Sequence, residues 1–412
     1  MISKRKRNWI LALLFLGWSL GNLDRYIMNF AVLYITQDLH LSASATGMLL
    51  SSFFAGYAIM QLPAGWLADR FGPRRVLLAA VVVWSIFTVL TGAAWSLASM
   101  LVIRFFFGIG EGGFQPACGK TITLLYPKDA QARAMSIVLS SSGLMSLIIP
   151  IASIAMLTTI GWRMMFVIMG VAGAIVAVLY WYFIRTPERN EEDTEISIAA
   201  SREQGVFRSL LKTPLVWSLF VASYSLYAVN WGLATWLPTY LVKVRGMDLI
   251  SLGWIQTIPA IAMLLGMLLS GYILDKLPKG TERIVGSICC VCIGILLYLM
   301  YSATSVTIFV TYQTIVVLVL SLLLLLLPAI MMKRLPSSVM GTAGGLVNTG
   351  GQLAGFITPM AIGFIVDAFN GSFDAAFWML IGFAVLGMLA ILSMNFSKGA
   401  LLNQTTKESL TA

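Results

Sequence analysis

The chain has 412 residues, 59% hydrophobic and only 11% charged, with a formal net charge of +10. Soluble domains carry about 25% charged residues, so a single soluble globule is excluded. The basic excess does not indicate a nucleic-acid partner, because it collects in alternate loops and not on one patch.

Twelve apolar runs follow one another near 9–35, 46–68, 75–95, 97–125, 132–158, 162–184, 214–240, 250–274, 282–302, 306–332, 339–366 and 374–396. Each reaches the roughly 20 residues that cross a bilayer. Their length and continuity predict helices, whose backbone bonds close internally, over barrel strands. The opening MISKRKR is similar to the charged start of a signal peptide. The apolar run behind it is too long for one and lacks a small-residue cleavage site, so it is expected to stay as the first helix.

The only sizeable polar connection, 185–213, divides six segments from six. The expected architecture is an all-α polytopic membrane protein with 12 transmembrane helices in two six-helix bundles, 1–184 and 214–397. A linker at 185–213 joins them and a tail at 398–412 follows. With the N-terminus placed inside, 22 of the 27 Lys and Arg fall on inner loops, linker and tail. That asymmetry is the positive-inside rule, and it puts both termini in the cytoplasm.

The halves echo each other. GWLADRFG at 65–72 lies 206 residues before GYILDKLP at 271–278, which sets Gly65 over Gly271, Asp69 over Asp275 and Arg70 over Lys276. The same offset sets Asp24 over Asn230, and Pro150 and Pro359 correspond at an offset of 209. Such a duplication suits a transporter that alternates about a central site.

Apart from Lys120 near a helix end, the helix interiors hold four charged residues: Asp24, Arg25, Arg104 and Glu111. Each costs about 2.5–3.5 kcal/mol at a helix centre. They are therefore expected to face a polar cavity or one another. Seven residues separate Arg104 from Glu111, which puts them on one face of the fourth helix. The second half has no interior carboxylate, so coupling chemistry is expected in the first.

GWLADRFGPRR resembles the loop signature of the major facilitator superfamily, and LDRYIMNFA, RFFFGIGEGGFQPA, GWRMMF and TWLPTYL resemble its anion:cation symporter branch. The resemblance implies the major facilitator fold, a bacterial inner-membrane location and import of a small organic anion, often a sugar acid, with protons. It implies proton coupling at Asp24 and Glu111 with Arg104 between them. Arg25 is then the partner of the substrate carboxylate, since its planar fork suits an oxyanion. Tyr57 falls where the branch often has a substrate-contacting tyrosine, and Asn348, in GGLVNTGGQLAG, falls in a family pattern. Tyr227, Asn230 and Gln352 are further neutral donors and acceptors, although polar side chains also stitch helices together. Gly65, Asp69, Arg70, Arg133 and Asp275 take the place of a conformational latch.

The partners expected are thus the organic anion, protons and membrane lipid, around a monomer, with no nucleic acid, metal or cofactor. Gly108-Ile-Gly-Glu-Gly-Gly113 satisfies G-x-G-x-x-G, but a dinucleotide site needs a strand before it. These glycines are expected to allow close helix approach. Cys118, Cys289, Cys290 and Cys292 lie in apolar runs, without the ligand set a metal requires. His40, the only histidine, is expected in a loop. No nucleophile triad or phosphate loop appears, so an enzyme is not expected. Two alternatives stand beside proton symport: uncoupled facilitation or exchange of the anion, and a non-transporting receptor. The receptor would need a soluble domain that the 185–213 loop is too short to supply.

Overall fold

The computed structural model describes residues 4–184, 210–278, 280–335 and 339–394. The linker up to residue 209 and the 398–412 tail lie outside the described residues. Twelve helical spans are present. They are α1 (Lys4–Asp38), α2 (Ala43–Phe71), α3 (Pro73–Gly92) and α4 (Leu97–Leu125), then α5 (128–160) and α6 (162–183) within one run Lys128–Phe183. The second half has α7 (Pro214–Lys243), α8 (Leu249–Lys276), α9 (Glu282–Ser302), α10 (Val306–Arg334), α11 (Met340–Ala368) and α12 (Asp374–Ser393).

Local chemistry sets the joints. Ser42 starts α2 by accepting from the Ala45 N–H, and Ser96 and Ser99 form a capping box on α4. Gly72, at φ 85°, ends α2, and Pro73 opens α3 at once. Gly161, at φ 74°, breaks the run between α5 and α6. The GWR triplet then closes the corner. The Trp162 indole and Arg163 both donate to Asp38 at the end of α1, and Arg163 also reaches the Ala94 carbonyl beyond α3.

Among the described residues, nine stretches are apolar enough to cross a membrane by composition, one of them holding both α5 and α6. The two helices missing are α1 and α7. They carry more polar residues, buried or half-buried: Asn22, Asp24, Arg25 and Asn29 on α1, and Ser223, Ser225 and Asn230 on α7. The outward surface is apolar, with Trp9, Ile59, Ile175, Val178, Leu268, Ile284 and Ile295 all more than half exposed.

Packing repeats with a shift of six helices. Pairs α2–α4, α3–α4 and α3–α6 recur as α8–α10, α9–α10 and α9–α12. Across the halves, α2 packs on α11, α8 on the α5–α6 run and α1 on α7. The α2–α11 contact is an antiparallel ladder. It starts where Asp367 accepts from the Ala43 and Ser44 N–H groups at 3.0 and 2.7 Å. It continues through Gly47 against Pro359 and Phe54 against Gly355, and ends where Asn348 donates to Gln61 at 3.1 Å. One turn further, a methyl group at Gly65 would meet nothing within 4 Å. The even number of described helices puts Lys4 and Met394 at one end of the bundle, and the recorded α2–α11 contacts join the halves toward the other end, from Asp367 to Gln61.

Candidate functional site

The ladder roofs a narrow cavity between the halves. Its walls are Arg25, Met28 and Asn29 from α1, Leu50, Phe53 and Phe54 from α2, Arg104 from α4, and Trp231 and Thr235 from α7. All four charges expected in the interior meet beside it.

Close glycine contacts draw α4 against α2 and α3. Gly56 lies on the Phe105 carbonyl and Gly108 on the Phe53 carbonyl, where a β-carbon has no room. A β-carbon at Gly112 would likewise stand 2.6 Å from the Tyr57 carbonyl oxygen, and one at Gly110 2.6 Å from the Trp84 nitrogen of α3. The glycine-rich stretch is a packing seam, as expected from its helical setting. It brings Arg104 and Glu111 close to α1.

Neighbouring residues on a helix point about 100° apart, so Asp24 and Arg25 turn to different neighbours. Asp24 faces α3, where its Oδ2 accepts from the Thr88 hydroxyl, while Oδ1 is buried with no hydrogen-bond partner. Arg25 faces α4 and donates from Nη2 to Glu111 Oε1 at 2.5 Å. Gly21, one turn earlier, faces the same carboxylate: a β-carbon there would stand in ordinary contact, 3.5 Å from Glu111 Oε1. Glu111 Oε2 is buried and unpartnered.

Arg104 is 2% exposed, and neither Nε nor Nη1 finds an acceptor. Its guanidinium lies 4.4 Å from the Phe107 ring centroid and 5.6 Å from that of Phe53, within electrostatic reach of both Asp24 and Glu111. The Arg25 guanidinium sits 5.0 Å from the same Phe53 ring and 4.8 Å from Tyr57. Two cations and two carboxylates thus form a buried, formally neutral cluster, and both cations reach the cavity.

The other expected residues are distributed around this core. Tyr57 is buried, with its hydroxyl 3.5 Å from Gln115. Asn348 bridges the halves through Gln61. Gln352 keeps a buried, unpartnered Oε1, Tyr227 packs on Gly351, and Asn230 is half-buried. None of these five is among the residues lining the cavity. At the terminal end, Asp69 pairs with Lys120 at 3.0 Å, Arg70 lies over Trp66 and Phe71, and Arg133 and Asp275 are exposed.

Sequence reasoning missed Asn29, Thr235 and Thr88. Asn29 stands four residues after Arg25, hence on its face, and that spacing was sufficient to find it. Thr88 had no such signal, being one hydroxyl in an apolar helix.

A profile of the Major Facilitator Superfamily matches residues 11–359. The chain is 30% identical over 405 residues to a probable sulfoacetate transporter of Cupriavidus necator, covering 95% of this chain and 94% of that one. It is 30% identical over 409 residues to a hexuronate transporter of Bacillus subtilis, covering 95% of each. Its fold is similar to the crystal structure of a bacterial homolog of the human lysosomal transporter Spinster, with a TM-score of 0.79 at 21% identity and 95% of each chain covered. The chain belongs to the major facilitator superfamily, among relatives named as transporters of sugar acids and other organic anions.

Proposed function

We propose that this major facilitator protein imports a small organic anion, a sugar acid or similar carboxylate, together with protons by alternating access. The observation that carries the reading is the ion pair of Arg25 with Glu111 beside the central cavity. A group that must bind an anion in one step and release it in the next needs an internal carboxylate to take the anion's place. Glu111 fills that role for Arg25, and a proton on Glu111 frees the guanidinium for substrate. Asp24 lies within electrostatic reach of Arg104 without bonding it, and is the second proton site. The named substrates of the two relatives, sulfoacetate and hexuronate, each offer a carboxylate for such a cation.

The two six-helix halves, 1–184 and 214–397, rock about the cavity, the α2–α11 ladder opening as contacts form near Gly65, Asp69, Arg70, Arg133 and Asp275. The skew of basic residues supports an inner-membrane location with both termini cytoplasmic. The test uses purified protein in liposomes with an imposed pH gradient. Labelled sugar acid should accumulate uphill in wild type. Glu111→Gln should abolish uphill accumulation while substrate exchange continues. Undiminished uphill uptake by that variant refutes the role of Glu111, and uptake indifferent to the gradient favours uncoupled exchange.

A further inference from the structure

We infer that the transported anion carries two negative charges, one for Arg25 and one for Arg104, so that Arg104 is a substrate-binding residue. The inference rests on the transport reading above and adds the substrate class.

Three observations support it. First, both guanidiniums reach the same cavity and flank the same ring. Their distances of 5.0 and 5.6 Å from the Phe53 centroid limit their separation to about 11 Å. A short chain with an anionic group at each end spans that interval.

Second, the two cations are in different states. Arg25 already has Glu111 as a hydrogen-bond partner, whereas Arg104 is 2% exposed and has no acceptor on Nε or Nη1. A buried guanidinium with its donors unmet is costly. A positioning role for Asp24 does not explain it, because Asp24 directs its one hydrogen bond to Thr88. An anion entering the cavity therefore meets Arg104 with its Nε and Nη1 donors free. The unpartnered indole N–H of Trp231 offers a further donor from the opposite half.

Third, the charge balance is matched. The ionisable groups facing the cluster are Asp24, Arg25 and Tyr26 from α1, Tyr57 from α2, and Arg104 and Glu111 from α4; α3 contributes only Thr88, and α7 only Tyr227. With both tyrosines of the first half neutral, the empty cluster sums to zero. Charge at this depth is expensive, so the loaded carrier should be neutral too. A dianion arriving with one proton on each of Asp24 and Glu111 keeps it so. A monoanion arriving with two protons would leave one positive charge, and one arriving with a single proton would balance only by leaving one of the two acids and one of the two cations unused.

The experiment uses the full chain in liposomes and two matched pairs of labelled probes. D-glucarate is set against D-gluconate, and sulfoacetate against glycolate; one carboxylate becomes hydroxymethyl in the first pair, and the sulfonate becomes hydroxyl in the second. At least one dianion should be taken up about 10- to 100-fold better than its partner, the worth of a hydrogen-bonded charge. Arg104→Gln, or Arg104→Lys, which keeps the charge and loses the fork, should collapse that preference. With voltage clamped to zero, the dianion should accumulate about 100-fold per pH unit, as two protons require, and not about tenfold. The preference and the proton ratio are wild-type readings, so they decide the matter even if neither variant folds. Preferential uptake of a monoanion, or a preference unchanged in the variants, overturns this inference and leaves anion transport standing. Uptake of none of the four probes overturns both.

Discussion

Asp367 gives the sharpest test of how the halves are held. It stands at the end of α11 and accepts from the first two N–H groups of α2, at 3.0 and 2.7 Å, while Ser42 takes the third at 3.2 Å. These donors have no partner inside their own helix, so Asp367 completes a cap on the opposite half of the molecule. Asp367→Asn keeps one carbonyl acceptor and turns an amide toward the other N–H. The loss is one charge-assisted bond, about 1.5–3 kcal/mol, and a helix-end charge worth about 0.3–1 kcal/mol. Asp367 is exposed, and solvent screening reduces the sum to about 1–2 kcal/mol. That shifts the balance between joined and parted halves by a factor of about 5–30. The readout is a cysteine placed by Leu50→Cys on the buried cavity wall, with Cys118, Cys289, Cys290 and Cys292 replaced by serine. An impermeant maleimide applied from the far side should label it about 5–30 times faster when Asp367→Asn is added. An unchanged labelling rate would show that the cap belongs to α2 alone and that the ladder does not depend on it.

Gly108→Leu should prevent folding, because its side chain would be driven into the Phe53 backbone, whereas Gly119→Leu, where a β-carbon meets nothing within 4 Å, should yield normal amounts of monodisperse protein. Thr88→Val strips Asp24 of its one hydrogen bond and should cost about 1.5–3 kcal/mol; a lowered melting temperature that Thr88→Ser restores is the expected result. At the far corner, the hydrogen bond from Arg163 holds the Asp38 carboxyl below its ordinary 3.8. A depressed carboxyl contributes above that ordinary value and loses its contribution only as pH falls through the lower one. The small loss of stability in Asp38→Asn should therefore be constant from pH 5 to 8 in thermal melts, and a pH-dependent difference would assign the pair a different role.

The number of spans was legible because membrane helices must be long, apolar and closed on their own hydrogen bonds. Even the corner at Gly161 fell between two runs marked out by hydropathy alone. The four buried charges were legible for a related reason: an ionisable side chain in an apolar run has no cheap explanation. Their pairing was not. The family resemblance set Arg104 between Asp24 and Glu111, and the fork of Arg25 suited a substrate. Which acid each arginine faces depends on the rotation of α1, which is set by packing on the α5–α6 run, where the Tyr180 hydroxyl donates to the Leu13 carbonyl, a contact absent from any one helix. The same holds for Asn348. Its amide was conspicuous in a glycine-rich run, yet only the tertiary register sets it against Gln61.

The duplication carried more information about the cavity than Asp24 and Asn230 alone suggest. At the same offset of 206, Arg25 falls on Trp231 and Asn29 on Thr235, and all four line the cavity. Equivalent faces of α1 and α7 thus meet across the interface, where Tyr26 stacks on Trp231 with centroids 5.8 Å apart. The repeat preserves the geometry and changes the chemistry. The bounds of α4 and α10 lie 209 residues apart, so Arg104 falls on Gln313 and Glu111 on Leu320, and the second half answers charge with neutral side chains. A neutral wall has a physical advantage in a carrier whose halves must separate. Ion pairs spanning the interface would have to break, desolvated, at every turnover. With both acids and both bases on one half, the alternating-access cycle proposed above lets the cluster exchange partners internally while the other half slides past. Trp231→Phe should accordingly weaken substrate binding, measured as a raised KM, and leave the proton ratio intact. A changed ratio would mean that the second half takes part in coupling.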